Sequence, residues 1–309
     1  MSAPNQPYEL AFYLNPRGAE RRAAMQAIAE AGVRWIGTDG CTWHPDRDRA
    51  AIDGFRNDLR DFGLSIYSMH AIHPFLARAD QDVPSDLMDA LLTDLRRLAL
   101  FGGKTAVYHA CWMRDVPPER FDAAIEGVGW EAFVERYVRA TRQVARRAAE
   151  SDITVVIENV PYGVHAASVT GFIEIVEATA QAVGEPNVGI CLDSGHTHLV
   201  GPDSGGPLRV ADEVRAAGRW LRDTHFHDNV GLRNDVLFDQ HIPPGLGTID
   251  WQDVCRALRE IAYPGPVVFE GVLGPGDSIA EGRFSGQLSY RDLIDITVRN
   301  WRAFESFGG

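Results

Sequence analysis

The histidines of this sequence stand where short apolar runs end. Each of the ten lies at or just beyond the end of a predicted β-strand, and none falls inside a predicted helix. They are His44, His70, His73, His109, His165, His196, His198, His225, His227 and His241. Glu158, Asp193 and Glu270 end three of the same strands. Buried carboxylates are costly unless they are paired, and a bound cation would offset that cost. These residue types therefore predict metal-dependent chemistry.

Eight apolar runs alternate with amphipathic helical patterns along the chain. The predicted strands are residues 9–14, 34–38, 64–70, 105–109, 153–159, 188–193, 224–228 and 266–270. Eight strands that are each followed by a helix are typical of a parallel (β/α)8 TIM barrel, whose C-terminal strand ends open on the face that carries active sites. An open doubly wound sheet is the alternative, and the histidine-rich strand ends favour the barrel. We expect a single such domain over residues 1–309.

Composition narrows the class of protein. Apolar residues make up 45% and charged residues 24% of the chain, as in ordinary globular proteins. The four cysteines are widely spaced and include no Cys-x-x-Cys pair, which favours a reducing cytoplasm. No apolar run is long enough to span a membrane. A net charge of −13 argues against nucleic acid as a partner, and we expect a small-molecule substrate. Homo-oligomer formation is left open.

Five segments carry a resemblance to a known family. They are residues 156–159 (VIEN), 189–196 (GICLDSGH), 225–229 (HFHDN), 244–251 (PGLGTIDW) and 267–270 (VVFE). Their order and spacing resemble the xylose-isomerase-like barrel superfamily, which contains sugar-phosphate isomerases and epimerases and the endonuclease IV nucleases. The resemblance extends over nearly the whole chain and is strongest from the fourth strand onward.

The resemblance implies a four-ligand metal site. Its ligands would be Glu158, Asp193, His225 and Glu270. His225 is preferred because the family pattern His-x-x-Asp runs from it to Asp228. His227 would then face the other side of the seventh strand or the rim, and it is a candidate substrate-binding residue. Such a ligand set fits Mn²⁺, Zn²⁺, Mg²⁺ or Co²⁺ and does not choose among them.

Endonuclease IV-type members bind three zinc ions, and this sequence has a residue of the right type at every added position. His70 and His109, with Glu158 as a bridge, would form a second site, although His73 could replace His70. A third site would comprise His196, Asp239 and His241. The number of ions, one or three, is left open, and the complete set favours three.

Two enzymatic interpretations follow. In an isomerase or epimerase, Glu158 and Glu270 would move protons on opposite faces of a hydroxy-carbonyl substrate, and His196 would orient a hydroxyl group. The substrate would lie against three aromatic side chains just past strand ends, namely Trp43, Trp112 and Tyr162. In a three-zinc hydrolase or phosphoesterase, the ions would bind a phosphate and activate water.

Several features favour the isomerase or epimerase over a nuclease. The loops after the first three strands carry no basic patch, and Lys104 is the chain's single lysine. Residues 239–251 resemble the isomerase and epimerase branch. A catalytically inactive barrel would have lost some of the carboxylates, and none is missing. Whether the glycine-rich segment 273–287 forms a lid is left open.

Overall fold

The computed structural model describes most of the chain. The described residues are 6–15, 17–18, 20–39, 43–75, 83–109, 121–161, 169–183, 187–199, 208–231, 239–273 and 288–307. The strands are β1 Leu10–Leu14, β2 Trp35–Asp39, β3 Ser65–Phe75, β4 Thr105–His109, β5 Thr154–Glu158, β6 Val188–Asp193, β7 Leu221–His225 and β8 Val267–Phe269. The helices are α1 Arg21–Glu30, α2 Arg49–Phe62, α3 Ser85–Phe101, α4 Phe121–Val128, α5 Trp130–Ala149, α6 Thr170–Val183, α7 Ser194–His198, α8 Val210–Ala217, α9 Trp251–Glu260 and α10 Tyr290–Phe307.

The eight strands form one parallel sheet that curls into a barrel. Their order is β7-β6-β5-β4-β3-β2-β1-β8. The two end strands meet, because the N–H of Phe226 donates to the carbonyl oxygen of Val268 at 2.8 Å and Phe226 forms a parallel bridge with Phe269. The predicted (β/α)8 barrel is therefore confirmed.

Local sequence explains how the helices lead into the strands. Gly63 and Gly102 end α2 and α3 in the left-handed conformation, with φ of 65° and 72°. Glycine adopts this conformation without steric cost, and it turns the chain directly into the next strand. Strands β1, β5 and β6 are short and almost fully buried, as expected where helices cover the outside and side chains fill the inside. Among the described residues, no helix has the length and apolar character needed to cross a bilayer.

The structure differs from the sequence-based expectations at a few elements. Strand β7 begins at Leu221 and ends at His225, three residues before the predicted range, because charged residues 222 and 223 obscure the strand pattern. Two histidines expected in a loop lie in the one-turn helix α7, which Asp193 caps by accepting a hydrogen bond from the N–H of His196 at 2.7 Å. Helix α4 was not predicted.

Candidate functional site

The two-residue period of the strands builds the site. Side chains two positions apart lie on the same side of a strand. Thr105 on β4 and Asp223 on β7 touch inside the barrel, with 2.5 Å between the Thr105 hydroxyl and the carboxylate. His109, four positions after Thr105, and His225, two positions after Asp223, therefore also face the interior, now at its C-terminal end. The register pairs His109 with Glu158, which brings the carboxylate to the same level.

Four side chains form what we call the central donor group: Glu158, Asp193, His225 and Glu270. Their ligand atoms all lie within 4.8 Å of one another. The Nδ1 atom of His225 lies 3.1 Å from Glu158 Oε1 and 3.2 Å from Glu270 Oε2, so the two carboxylates flank one imidazole. Glu158 is almost fully buried, whereas the Glu270 side chain is 14% exposed.

His70, His109 and Glu158 form a second cluster, the histidine-pair group. The Nε2 atoms of the two histidines lie only 2.8 Å apart. Glu158 Oε2 is 3.3 Å from Nε2 of His70 and 3.5 Å from Nε2 of His109. The Nδ1 atom of His70 lies 3.1 Å from the carbonyl oxygen of Ala71, a contact that suits a proton on Nδ1 and directs Nε2 towards Glu158 and His109.

His196, Asp239 and His241 form a third cluster, the outer donor group. Asp239 Oδ2 lies 3.3 Å from His196 Nε2 and 3.0 Å from His241 Nε2. The Nδ1 atom of each ring faces a backbone carbonyl oxygen instead, at 2.8 Å for His196 and 3.4 Å for His241. Asp239 and His241 both adopt positive φ angles, 48° and 44°, a strained conformation that is frequent at functional sites.

Several buried atoms in and beside these clusters make no hydrogen bond of normal geometry with the residues that the structure describes, although His225 Nδ1 lies close to two carboxylates. They are Glu158 Oε2, both ring nitrogens of His225, Nδ1 of His227 and Oδ1 of Asp239. Buried polar atoms are normally paired, and an unpaired one costs about 1–3 kcal/mol. Lone pairs that converge from carboxylates and imidazoles fit the coordination of a divalent cation, so the residues present suit a metal site.

Burial and neighbouring charges shift the pKa values of the donor side chains in different directions, and the pKa of His225 lies well above its usual value because the nearby Glu158 and Glu270 carboxylates outweigh burial. Burial would raise the pKa of Glu270, but His225 outweighs this effect and the pKa falls to about 2. Burial lowers the pKa of His109 to about 3, so this ring is neutral at pH 7. At His241, burial is outweighed by Asp239, and the pKa rises to about 9. An ionised carboxylate and a neutral imidazole are the forms that bind metals, and His241 would release its proton on binding.

Comparison with known proteins agrees with this architecture. A family model described as "Xylose isomerase-like TIM barrel" matches residues 25–283. The chain belongs to this family. The D-psicose 3-epimerase of Agrobacterium fabrum is 32% identical over 138 residues, 42% of this chain and 41% of that protein. The probable endonuclease 4 of Methanoculleus marisnigri is 28% identical over 233 residues, 70% of this chain and 74% of that protein.

Solved structures show the same fold. A crystal structure of a D-psicose 3-epimerase in the presence of D-fructose superposes with a TM-score of 0.68 at 18% identity. The superposition covers 97% of this chain and 100% of that one. At this identity the match establishes the family fold, while the substrate has to be argued from the site itself.

His227 departs from the expectation that was based on the family pattern. It was expected to face the other side of β7 or the rim. It is fully buried on the same side as His225, and its Nε2 lies 3.1 Å from both carboxylate oxygens of Asp193. The reason is again the two-residue period, which continues past the end of β7 and returns His227 to the interior.

The remaining predicted site residues are placed only in part. Trp43 packs against Phe55, with ring centroids 6.0 Å apart, so its contact with a substrate stays a prediction. Trp112, Tyr162 and residues 274–287 of the glycine-rich segment lie outside the described residues, as does the side chain of His73.

Sequence reasoning missed two residues that support the site. Tyr13 accepts a hydrogen bond from the N–H of His70 at 2.8 Å and packs edge-on against His225. Asn159 accepts from the N–H of Asp193 at 2.7 Å and donates to its carbonyl oxygen at 3.1 Å. Tyr13 carries no motif. Asn159 directly follows a predicted ligand, and this position could have identified it.

Proposed function

We propose that this protein is a metal-dependent isomerase or epimerase of a small sugar, polyol or related hydroxy-carbonyl compound. The observation that carries the proposal is the central donor group, in which two ionised carboxylates flank one imidazole nitrogen at 3.1 and 3.2 Å. Membership of the xylose isomerase-like family supports it, as do the names of several relatives, which are sugar epimerases.

The central donor group would hold the ion. Glu158, Asp193, His225 and Glu270 would bind a divalent cation. The chemistry that such an ion supplies is polarisation of the carbonyl and hydroxyl oxygens of the substrate, which would acidify the C–H bond of the hydroxyl-bearing carbon next to the carbonyl. Mn²⁺, Zn²⁺, Mg²⁺ and Co²⁺ all accept such ligands. A second and third ion would use the histidine-pair group and the outer donor group.

The two glutamates would move the protons. One carboxylate would take the proton from the acidified carbon and later release it to solvent. The other would first accept a proton from solvent and then deliver it to the opposite face, so that the product is an epimer and no atom is gained or lost. Both are charged at neutral pH because His225 lowers the pKa of each below its usual value despite burial. The partial exposure of Glu270 lets a substrate reach it.

The test is isotope exchange with a panel of ketoses. The protein, supplied with Mn²⁺, is incubated in D₂O with D-psicose, D-fructose or D-tagatose, and products are followed by chromatography and NMR. We expect epimer formation with solvent deuterium on the inverted carbon. Glu270→Gln should lose turnover, whereas His198→Gln should keep it, because His198 Nε2 faces Thr248 at 2.8 Å. Full turnover by Glu270→Gln would contradict the assignment.

A multinuclear hydrolase is the second candidate. The close His70–His109 contact and the complete outer donor group favour it, because one ion would leave these two clusters without a cation. Chelator-sensitive release of phosphate from a phosphomonoester, or cleavage of an abasic oligonucleotide, in the absence of ketose turnover would establish this function instead.

A further inference from the structure

His227 lies where the central and outer donor groups meet. Its Nε2 is 3.1 Å from both carboxylate oxygens of Asp193 in the central group and 3.7 Å from Asp239 Oδ1 in the outer group. Its ring stacks on that of His241, with centroids 3.8 Å apart and planes inclined by 8°. One side chain thus touches members of both groups.

Two glycines make room for this pair of rings. A Cβ atom at Gly195 would lie 1.9 Å from Cε1 of His227. A Cβ atom at Gly271, whose φ is +67°, would lie 2.2 Å from Nδ1 of His241. Contacts this short are not compatible with a side chain, so the backbone on both sides of the stack admits only glycine unless the rings move.

The backbone of His227 is also fixed. Its N–H donates to the hydroxyl of Ser194 at 2.9 Å, and that hydroxyl donates to the carbonyl oxygen of His227 at 2.7 Å. Ser194 begins α7, the helix that carries His196. This reciprocal pair holds the ring at a set distance from Asp193, which directly precedes the helix.

We propose that His227 is a positioning residue that couples the central and outer donor groups. A proton on Nε2 would be shared by the two oxygens of Asp193 and would hold this carboxylate in its ligand orientation, as hydrogen-bonded partners of metal ligands do. The stacked face would hold the His241 ring so that its Nε2 points at Asp239. The inference rests on the proposed metal binding and adds a role that the family pattern of ligands does not include.

Two substitutions separate these contacts. His227→Phe keeps a flat ring for His241 and removes the N–H that faces Asp193. His227→Gln keeps an N–H near the position of Nε2 and removes the stack. His198→Gln is the matched control, since His198 lies on α7 and bonds Thr248.

The measurement is the affinity for Co²⁺, determined by titration and monitored through the visible absorption of the bound ion. All substitutions are made in the Asp239→Asn variant, the background, in which the outer donor group is disabled. We expect His227→Phe to weaken binding by about 10–100-fold, while His227→Gln and the control stay within about threefold of the background. With Asp239 restored, His227→Gln should bind fewer ions per chain than the wild type.

The outcomes are distinct. Background-level Co²⁺ affinity in His227→Phe would overturn the positioning role, as would equal losses in the phenylalanine and glutamine variants. A wild-type chain that binds no Co²⁺ would instead contradict the proposed metal dependence. If His227→Phe does not fold, Gly195→Ala displaces the same ring, and unchanged affinity in this variant would also overturn the inference.

Discussion

Two buried carboxylates inside the barrel have opposite surroundings. Asp223, in the lower half, accepts hydrogen bonds from the Ser68 hydroxyl at 2.6 Å, the Thr105 hydroxyl at 2.5 Å and the N–H of Thr224 at 2.8 Å. Glu158, at the C-terminal end, has an oxygen with no hydrogen-bond partner among the described residues and faces imidazoles on several sides.

This difference distinguishes a buried carboxylate that only stabilises the fold from one that could bind a ligand. When both oxygens of a buried carboxylate accept hydrogen bonds from neighbouring groups, these bonds offset the free-energy cost of removing the carboxylate from water. Such a carboxylate is part of the fold. One that is left partly unpaired among other lone-pair donors is prepared for a ligand. Hydroxyl groups surround Asp223, and Ser and Thr carry protons to donate. Imidazoles and carboxylates surround Glu158, and these are the ligands that cations select.

The largest expected effect comes from neutralising Glu158. Glu158→Gln removes a charge shared by the central donor group and the histidine-pair group. We expect lower metal content per chain and a loss of about 10²–10⁴-fold in kcat, because a proton carrier is lost as well. The matched control is Asp223→Asn, which also neutralises a buried carboxylate. Equal metal content in the two variants would remove the distinction between the two regions.

Asp228 is a third buried carboxylate, and like Asp223 it accepts several hydrogen bonds. Asp228 accepts from the N–H groups of Gly245 and Asn229 and from the Trp251 indole at 2.8–2.9 Å, and from the N–H of Ile249 at 3.2 Å. An asparagine side chain has one acceptor oxygen, so Asp228→Asn leaves N–H groups unpaired in either orientation. We expect a loss of about 3 kcal/mol in the free energy of unfolding by urea. Unchanged stability would show that these bonds contribute nothing.

A smaller effect is expected below the site. Thr105→Val removes one of the hydroxyl donors to Asp223 while keeping the volume of the side chain. The free energy of unfolding should fall by about 1.5 kcal/mol, and the metal affinity should not change. Loss of metal in this variant would contradict the separation between the lower and upper parts of the barrel interior.

The smallest effect concerns an ion-pair network on the outside of the barrel. Arg215 lowers the pKa of Asp253 through hydrogen bonding, and Arg256 adds to this effect. A carboxyl group whose folded pKa is depressed contributes stability above its unfolded pKa, and this contribution is lost as pH falls through the folded pKa. Asp253→Asn should therefore cost about 0.5–1 kcal/mol at pH 7 and less at pH 3. A cost that grows on acidification would contradict the sign.

Much of the fold could be predicted because strand and helix patterns are local. Strands β4 and β6 begin and end where the sequence indicates, with residues 105–109 and 188–193. The convergence of Glu158, Asp193, His225 and Glu270 follows from strand ends that share one face. Their role as ligands stays a prediction until a metal is measured.

What could not be predicted depends on contacts between distant segments. The stack of His227 on His241 requires two strained residues after β7 and glycines at two separate positions, and none of these features is visible as a pattern. The start of β7 was missed for a related reason. Asp223 looks like a loop residue until Ser68 and Thr105, on other strands, are known to bind it.

The most direct test of the central claim is the metal content per chain, measured by elemental analysis of protein purified without added metal or chelator. We expect at least one divalent ion per chain in the wild type and in Asp223→Asn, and less in Glu158→Gln. About three ions, mostly zinc, would show that all three clusters are occupied and would favour the hydrolase, whereas one manganese or magnesium ion would favour the epimerase. Fully active protein without bound metal, or equal content in Glu158→Gln, would contradict the account.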